Sequence, residues 1–276
     1  MGVDNTSALP LYFDALIAAR RAGRVGRHVH LGYWDNPPSL DTPCPFGEFE
    51  RAQALLTERI ADLVPLRPGQ SVLDVACGFG GTLAAIDARL SNMALTGLNI
   101  DRRQLELCLG AVTPGRNHMT LVEGDACALP FAQAAFDHIL CVEAMFHFSS
   151  RRDFLARAAR CLRVGGVLAV TDIFIDPTRN GLPWNSDVIV ETIHRDYGPW
   201  PDFSASMSTL LNDARAAGLD PVHILDWSAA TLPSYRIVAP AYRPGEQRPL
   251  SAGDIFRELH VAGSLTYHAM AFTRAD

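Results

Sequence analysis

Between residues 71 and 174, short apolar runs alternate with longer segments whose apolar residues recur at helical spacing. The pattern predicts strands over 71–76, 94–98, 119–123, 136–142 and 167–174. Helices are expected between them over 81–90, 102–109 and 153–162. Strands joined through helices in this way form a mostly parallel sheet with helices on both faces, a doubly wound α/β arrangement. A helix over 206–217, stopped by Gly218, and strands over 222–227 and 265–272 complete a seven-stranded sheet. Ahead of the sheet, residues 1–65 read as a helical N-terminal cap, with a Gly- and Pro-containing loop over 26–45. Residues 66–276 read as one core carrying lid inserts at about 176–204 and 228–264.

Composition narrows the partners. With 48% apolar and 20% charged residues, the chain is a folded protein and not a disordered one. A formal net charge of −6 argues against nucleic acid or an anionic membrane surface as the main partner. No apolar stretch approaches the roughly 20 residues of a membrane span. The first ten residues lack the basic and apolar regions of a secretory leader. Six cysteines show no CxxC pair and no Cys/His spacing suited to a metal. A reducing cytoplasm and a metal-free protein are therefore expected. Whether the chain forms a homo-oligomer is left open.

The most informative segment runs from Val72 to Gly81, an apolar strand entering a glycine-rich turn that opens a helix. Glycines there let backbone N–H groups approach a ligand at a helix N-terminus. A dinucleotide turn would place a glycine where Leu83 stands, and no Walker lysine is present, so NAD and ATP readings both weaken.

Asp74-x-Ala76-x-Gly78-x-Gly80 resembles the first motif of class I S-adenosylmethionine-dependent methyltransferases, with alanine at the first glycine of D-x-G-x-G-x-G. The resemblance runs over about residues 10–276 and implies a Rossmann-like core that binds S-adenosylmethionine and yields S-adenosylhomocysteine. It implies that Asp74, Ala76, Gly78 and Gly80 lie against the methionine and ribose parts of the cofactor. The block ending at Asn99 and Ile100 corresponds to the ribose site, where the family usually has Asp or Glu. Asn99, Gln104 and, less directly, Asp101 are the candidates there. Asp125 and Ala126 match the adenine block. Cys141 lies in the fourth-strand block, whose end faces the methyl group.

Two further segments resemble the small-molecule and natural-product O-methyltransferases and the tocopherol-type branch: Leu11–Asp14, and His30–Trp34. By that likeness Tyr12 and Tyr33 close over the methionine end. His147 stands where similar O-methyltransferases carry a histidine, and its ordinary pKa suits a general base. Glu143 is the second catalytic candidate, as a base or as a binder of cationic substrate. Trp184, His194, Tyr197 and Trp200 in the first insert suggest an acceptor site for a small, largely apolar molecule, expected to be a secondary metabolite. Methylation at oxygen is the leading expectation. Methylation at carbon of an activated aromatic or prenyl alkene, with a carboxylate base, is the alternative. A fold that binds the cofactor and works as a non-methylating cyclase or binding module is the third.

Overall fold

The computed structural model describes residues 9–10, 12–113, 115–176, 186–203, 205–239 and 249–276. Helices α1 (Tyr12–Arg21) and α2 (Glu48–Ala61) precede the sheet. The alternating segment then gives β1 (Ser71–Val75), α3 (Gly81–Arg89), β2 (Ala94–Asn99), α4 (Arg102–Cys108) and β3 (His118–Glu123). It continues through β4 (Phe136–Val142), α5 (Arg151–Cys161) and β5 (Leu162–Ile175). Helices α6 (Ser186–Tyr197) and α7 (Met207–Ala216) lead to β6 (Leu219–Asp226). Short helices α8 (Ser228–Thr231) and α9 (Tyr235–Val238), then α10 (Ala252–Val261), precede β7 (Leu265–Arg274).

The sheet has seven strands in the order β3-β2-β1-β4-β5-β7-β6. β1 to β5 pair in parallel, and β7 runs antiparallel to both of its neighbours. The expected doubly wound seven-stranded fold is the one formed. Alternate residues of each central strand feed opposite faces, as the two-residue period of a strand requires. Val72, Leu140 and Ala169 pack with Leu56 and Ile60 of α2 and Leu83 of α3 on one face. Leu73, Ile139 and Leu168 pack with Phe154 and Leu155 of α5 and Leu210 of α7 on the other. Helices on both faces leave the carboxyl ends of the parallel strands as the open rim, where ligands of such sheets bind.

Two boundaries differ from the periodicity reading. β5 starts at Leu162 and not near 167, because Arg163, Val164 and Gly165 are exposed and this end of the strand carries no apolar run. Residues 186–197, read only as part of the first lid insert, form α6. No helix among the described residues is long and apolar enough to cross a membrane.

Candidate active site

The turn after β1 is left-handed at three places: Ala76 (φ 58), Gly78 (φ 53) and Gly80 (φ 81). Only glycine adopts such backbone at no steric cost. Gly80 is needed for space as well, since a Cβ there would lie 2.5 Å from Cys108 Sγ on α4. Asp74 sits behind this turn, 2% exposed, and its Oδ2 has no hydrogen-bond partner among the described residues. Burial pushes its carboxyl well above the usual range.

In front of the turn lies a cleft of about 340 Å³. Ala76 and Gly78 line it, as do Asn99 and Ile100 at the end of β2, Gln104 of α4, and Asp125 and Ala126 after β3. Asn99 Oδ1 accepts from the Asp101 N–H at 3.0 Å, and its Nδ2 donates to Gln104 Oε1 at 3.4 Å. Asp101 is the N-cap of α4, its carboxylate accepting from Arg103 N, and it does not line the cleft. Asp125 caps the turn at Ala126–Ala128, its Oδ1 accepting from Cys127 N at 2.8 Å. Tyr12, Phe13 and Leu16 of α1 form the opposite wall. Arg103 of α4 holds that helix through Asp14 at 2.6 Å.

A second cavity, of about 920 Å³, opens on the far side of Tyr12. Trp200, Phe146, Tyr197, Tyr235 and Phe256 give it aromatic walls; the Trp200 and Phe256 rings stack at 5.2 Å. Its other end is polar, with His28, His30 and Gln53. Cleft and cavity share five residues, among them the polar three Tyr12, Glu143 and His147.

Those three are held differently. His147, in a 3₁₀ turn after β4, has its Nε2 3.2 Å from the Tyr12 hydroxyl, and its buried Nδ1 has no partner among the described residues. Burial and the nearby Arg151 push its pKa down to about 3, so the ring is neutral. Burial pushes the Tyr12 phenol above its ordinary range. Glu143 follows β4 with φ 52, a left-handed conformation that costs a non-glycine residue about 1–3 kcal/mol and marks functional sites more often than others. Its N–H donates to Thr171 Oγ1 at 2.8 Å, and its Oε2 accepts from Leu31 N at 3.0 Å. Burial raises its pKa to about 7 despite the lowering effect of the Leu31 and Tyr267 hydrogen bonds.

The sequence matches the family described as "Methyltransferase domain" over residues 73–170. A 27-O-demethylrifamycin SV methyltransferase of Amycolatopsis mediterranei is 30% identical over 212 residues, 76% of this chain and 73% of that protein. The chain belongs to the class I S-adenosylmethionine-dependent methyltransferases. The methyltransferase GfsG of Streptomyces halstedii is 31% identical over 222 residues, 78% of this chain and 74% of that one. In fold, this methyltransferase resembles the geranyl diphosphate C-methyltransferase of Streptomyces coelicolor, solved with Mg²⁺, geranyl diphosphate and S-adenosyl-L-homocysteine. The TM-score is 0.66 at 20% identity, over 90% of this chain and 92% of that one.

Of the residues singled out in the methyltransferase sequence, ten line the smaller cleft: Tyr12, Ala76, Gly78, Asn99, Ile100, Gln104, Asp125, Ala126, Glu143 and His147. Tyr197 and Trp200 line the larger cavity. Asp74 and Cys141 lie within the sheet core and Gly80 ends the turn as the N-cap of α3, all three off both surfaces. Tyr33 packs edge-on against Trp227 at 5.0 Å, also off both. His194 is exposed on α6 and lines neither, and Trp184 lies outside the described residues. Among the described residues no group of three His, Cys, Asp or Glu side chains could hold a metal ion. Sequence reasoning missed Leu31, Gln53, Thr57 and Thr171, which brace the junction. Gln53 and Thr57 did leave a signal: two polar residues one turn apart on the buried face of α2.

Proposed function

We propose that this methyltransferase transfers a methyl group to a hydroxyl oxygen of a small, largely apolar metabolite held in the larger cavity. The observation that carries this reading is the shared wall, because a methyl donor in the cleft and an acceptor in the cavity can meet only beside Tyr12, Glu143 and His147. The cleft fits S-adenosylmethionine in its donor set: neutral amides at Asn99 and Gln104 for a ribose, a carboxylate at Asp125 for an exocyclic amine, and a turn at Gly78 free of side chain. When bound, S-adenosylmethionine supplies an electrophilic methyl group on a sulfonium. Tyr12 closes the cleft beside it, its ring face suited to a neighbouring cation.

The proton acceptor in this reading is Glu143 in place of the expected His147. A base works best with a pKa near the working pH, and Glu143 at about 7 meets that condition while His147 at about 3 does not. His147 instead orients Tyr12 through the 3.2 Å contact. The aromatic walls of the cavity, Trp200 and Phe256 among them, suit an apolar acceptor, and its volume is in the size range of ordinary ligand pockets. The 27-O-demethylrifamycin SV relative supports oxygen as the target.

Methylation at carbon is the second reading, favoured by one feature: Glu143 lies among Tyr12, Tyr197, Tyr235 and Tyr267, a setting that also suits a cationic carbon losing a proton to a carboxylate. Calorimetric titration with S-adenosylmethionine and S-adenosylhomocysteine comes first, with micromolar binding expected. Acceptors are then screened by S-adenosylhomocysteine release, and NMR of the product formed from a ¹³C-methyl donor reads O–CH₃ against C–CH₃. Absence of cofactor binding would sink the assignment of the cleft.

A further inference from the structure

The peptide group between His30 and Leu31 is bonded at both ends. Its carbonyl accepts from Gln53 Nε2 at 2.7 Å, and its N–H donates to Glu143 Oε2 at 3.0 Å. A hydrogen bond at one end of a peptide polarises it and strengthens the bond at the other. Gln53, 6% exposed on α2, also reaches the His28 carbonyl at 3.2 Å, so one amide holds two backbone positions of the same strand of loop.

One turn further along α2, the fully buried Thr57 joins the two histidine rings. Its Oγ1 lies 3.0 Å from His30 Nε2 and 3.0 Å from His28 Nδ1. The protons can be placed by counting. The Leu31 carbonyl can only accept, so His30 Nδ1, at 2.7 Å, carries a hydrogen. Burial pushes the His30 pKa down to about 3, so its Nε2 is bare and the Thr57 hydroxyl donates to it. With its one proton committed, Thr57 Oγ1 accepts from His28 Nδ1–H. Both rings are therefore Nδ1–H tautomers, the minority form of free neutral histidine.

We infer that Gln53 and Thr57 are positioning residues, which hold the 28–31 segment so that the Leu31 N–H meets Glu143 and favours its ionised form. The inference rests on the reading of Glu143 as proton acceptor. Neither side chain donates to Glu143 itself; both act through the backbone they fix. Other groups also face the carboxylate: Asp172 from β5, Tyr267 from β7, Tyr12 from α1, Tyr197 from α6 and Tyr235 from α9. None of them is bonded to Gln53 or Thr57, so a change in Glu143 titration on altering α2 reports the Leu31 contact.

The test is an NMR titration of the full chain labelled with ¹³C-carboxyl glutamate, the Glu143 resonance being assigned by its loss in Glu143→Gln. Ring ¹⁵N spectra of the wild type at neutral pH read the tautomers. His28 and His30 should both appear as Nδ1–H. Gln53→Leu and Thr57→Val should each move the Glu143 titration to higher pH by about one pH unit, and Thr57→Ser should restore the wild-type value. S-adenosylhomocysteine calorimetry and far-UV circular dichroism check that each variant is folded. An Nε2–H tautomer at either ring in the wild type would overturn the inference, and this result needs no variant. An unmoved Glu143 titration in a folded Gln53→Leu or Thr57→Val protein would overturn it as well. Failure to methylate any acceptor would count against the proposed function but would leave these titrations readable.

Discussion

Ala76 occupies the first glycine position of its motif while keeping a glycine-like backbone, φ 58. A Cβ in that conformation costs about 1–2 kcal/mol, and the extra freedom glycine gains on unfolding returns part of it. Ala76→Gly should therefore raise the melting temperature by about 1–3 °C, read by calorimetry. Asn99, which lines the cleft where we propose the ribose sits, presents the opposite case, since it lacks the charge that would grip a diol. Asn99→Asp keeps the bond from Asp101 N and adds a charged acceptor, so S-adenosylhomocysteine should bind roughly fivefold more tightly by isothermal titration. Glu143 carries a pH signature. Its folded pKa, about 7, lies above its ordinary value of 4.5, so the folded state holds the extra proton between those limits. Stability falls as pH rises across that window, and Glu143→Gln should remove the fall in a series of thermal melts. If Glu143 is the proton acceptor we propose, activity should run the other way, rising towards a plateau above pH 7 as it ionises, and Glu143→Gln should cost about 10²–10⁴ in kcat with cofactor binding retained. At this scale the placement of Ala76, Gly78, Asn99, Asp125 and Glu143 along one cleft was legible, because each belongs to a contiguous motif. Gln53 and Thr57 were not legible as site residues, since their partners lie 23 to 29 positions away along the chain.

Helix α1 lies over the cleft and is fastened at two points, Tyr12 to His147 and Asp14 to Arg103. Asp14 is 65% exposed and Arg103 43%, so the second fastening is weak in solution. Arg103→Gln should speed S-adenosylhomocysteine release by about two- to fivefold in a stopped-flow chase. A rate equal to that of the wild type would mean that α1 does not limit exit. The strands were readable because a central strand buried on both faces is an uninterrupted apolar run. Helix α6 was not, because Val188, Ile189, Val190, Thr192 and Ile193 are β-branched and lower its helix propensity. Tertiary packing decides the matter: Ile189 and Ile193, four apart, are both buried, and α6 packs against α10.

A buried ion pair ties α5 to β5, and its arginine also reaches the first insert. Arg151 (5% exposed) bonds Asp172 (0% exposed) at 2.7 Å and also donates to the Asp202 carbonyl at 3.0 Å. Removing one partner of such a pair leaves an uncompensated charge, so Arg151→Met should cost about 3–5 kcal/mol in urea unfolding. Replacement at both positions by apolar residues should cost less than either single change. The N-terminal cap and the second insert are also bound to each other: Gly32 N donates to Ser234 Oγ at 2.9 Å, Trp34 N donates to the Ala230 carbonyl at 3.0 Å, and Arg236 pairs with Glu48. The fold class could be read from local periodicity, but this closure could not, because it joins residues about two hundred positions apart.

That closure sets an order of assembly on the ribosome. Apart from Glu143, Phe146, His147 and Ile173, the cavity walls come from residues 12–53 and 196–256, whereas strands β1 to β5 all lie between residues 71 and 175. Domains form as their segments emerge, N-terminal parts first. Most of the parallel sheet can therefore be in place while the early aromatic and histidine residues still wait, uncovered, for partners not yet translated. A nascent chain stalled near residue 180 would expose that half-built wall, and hydrophobic-dye binding or chaperone capture should peak there and collapse once α10 has emerged.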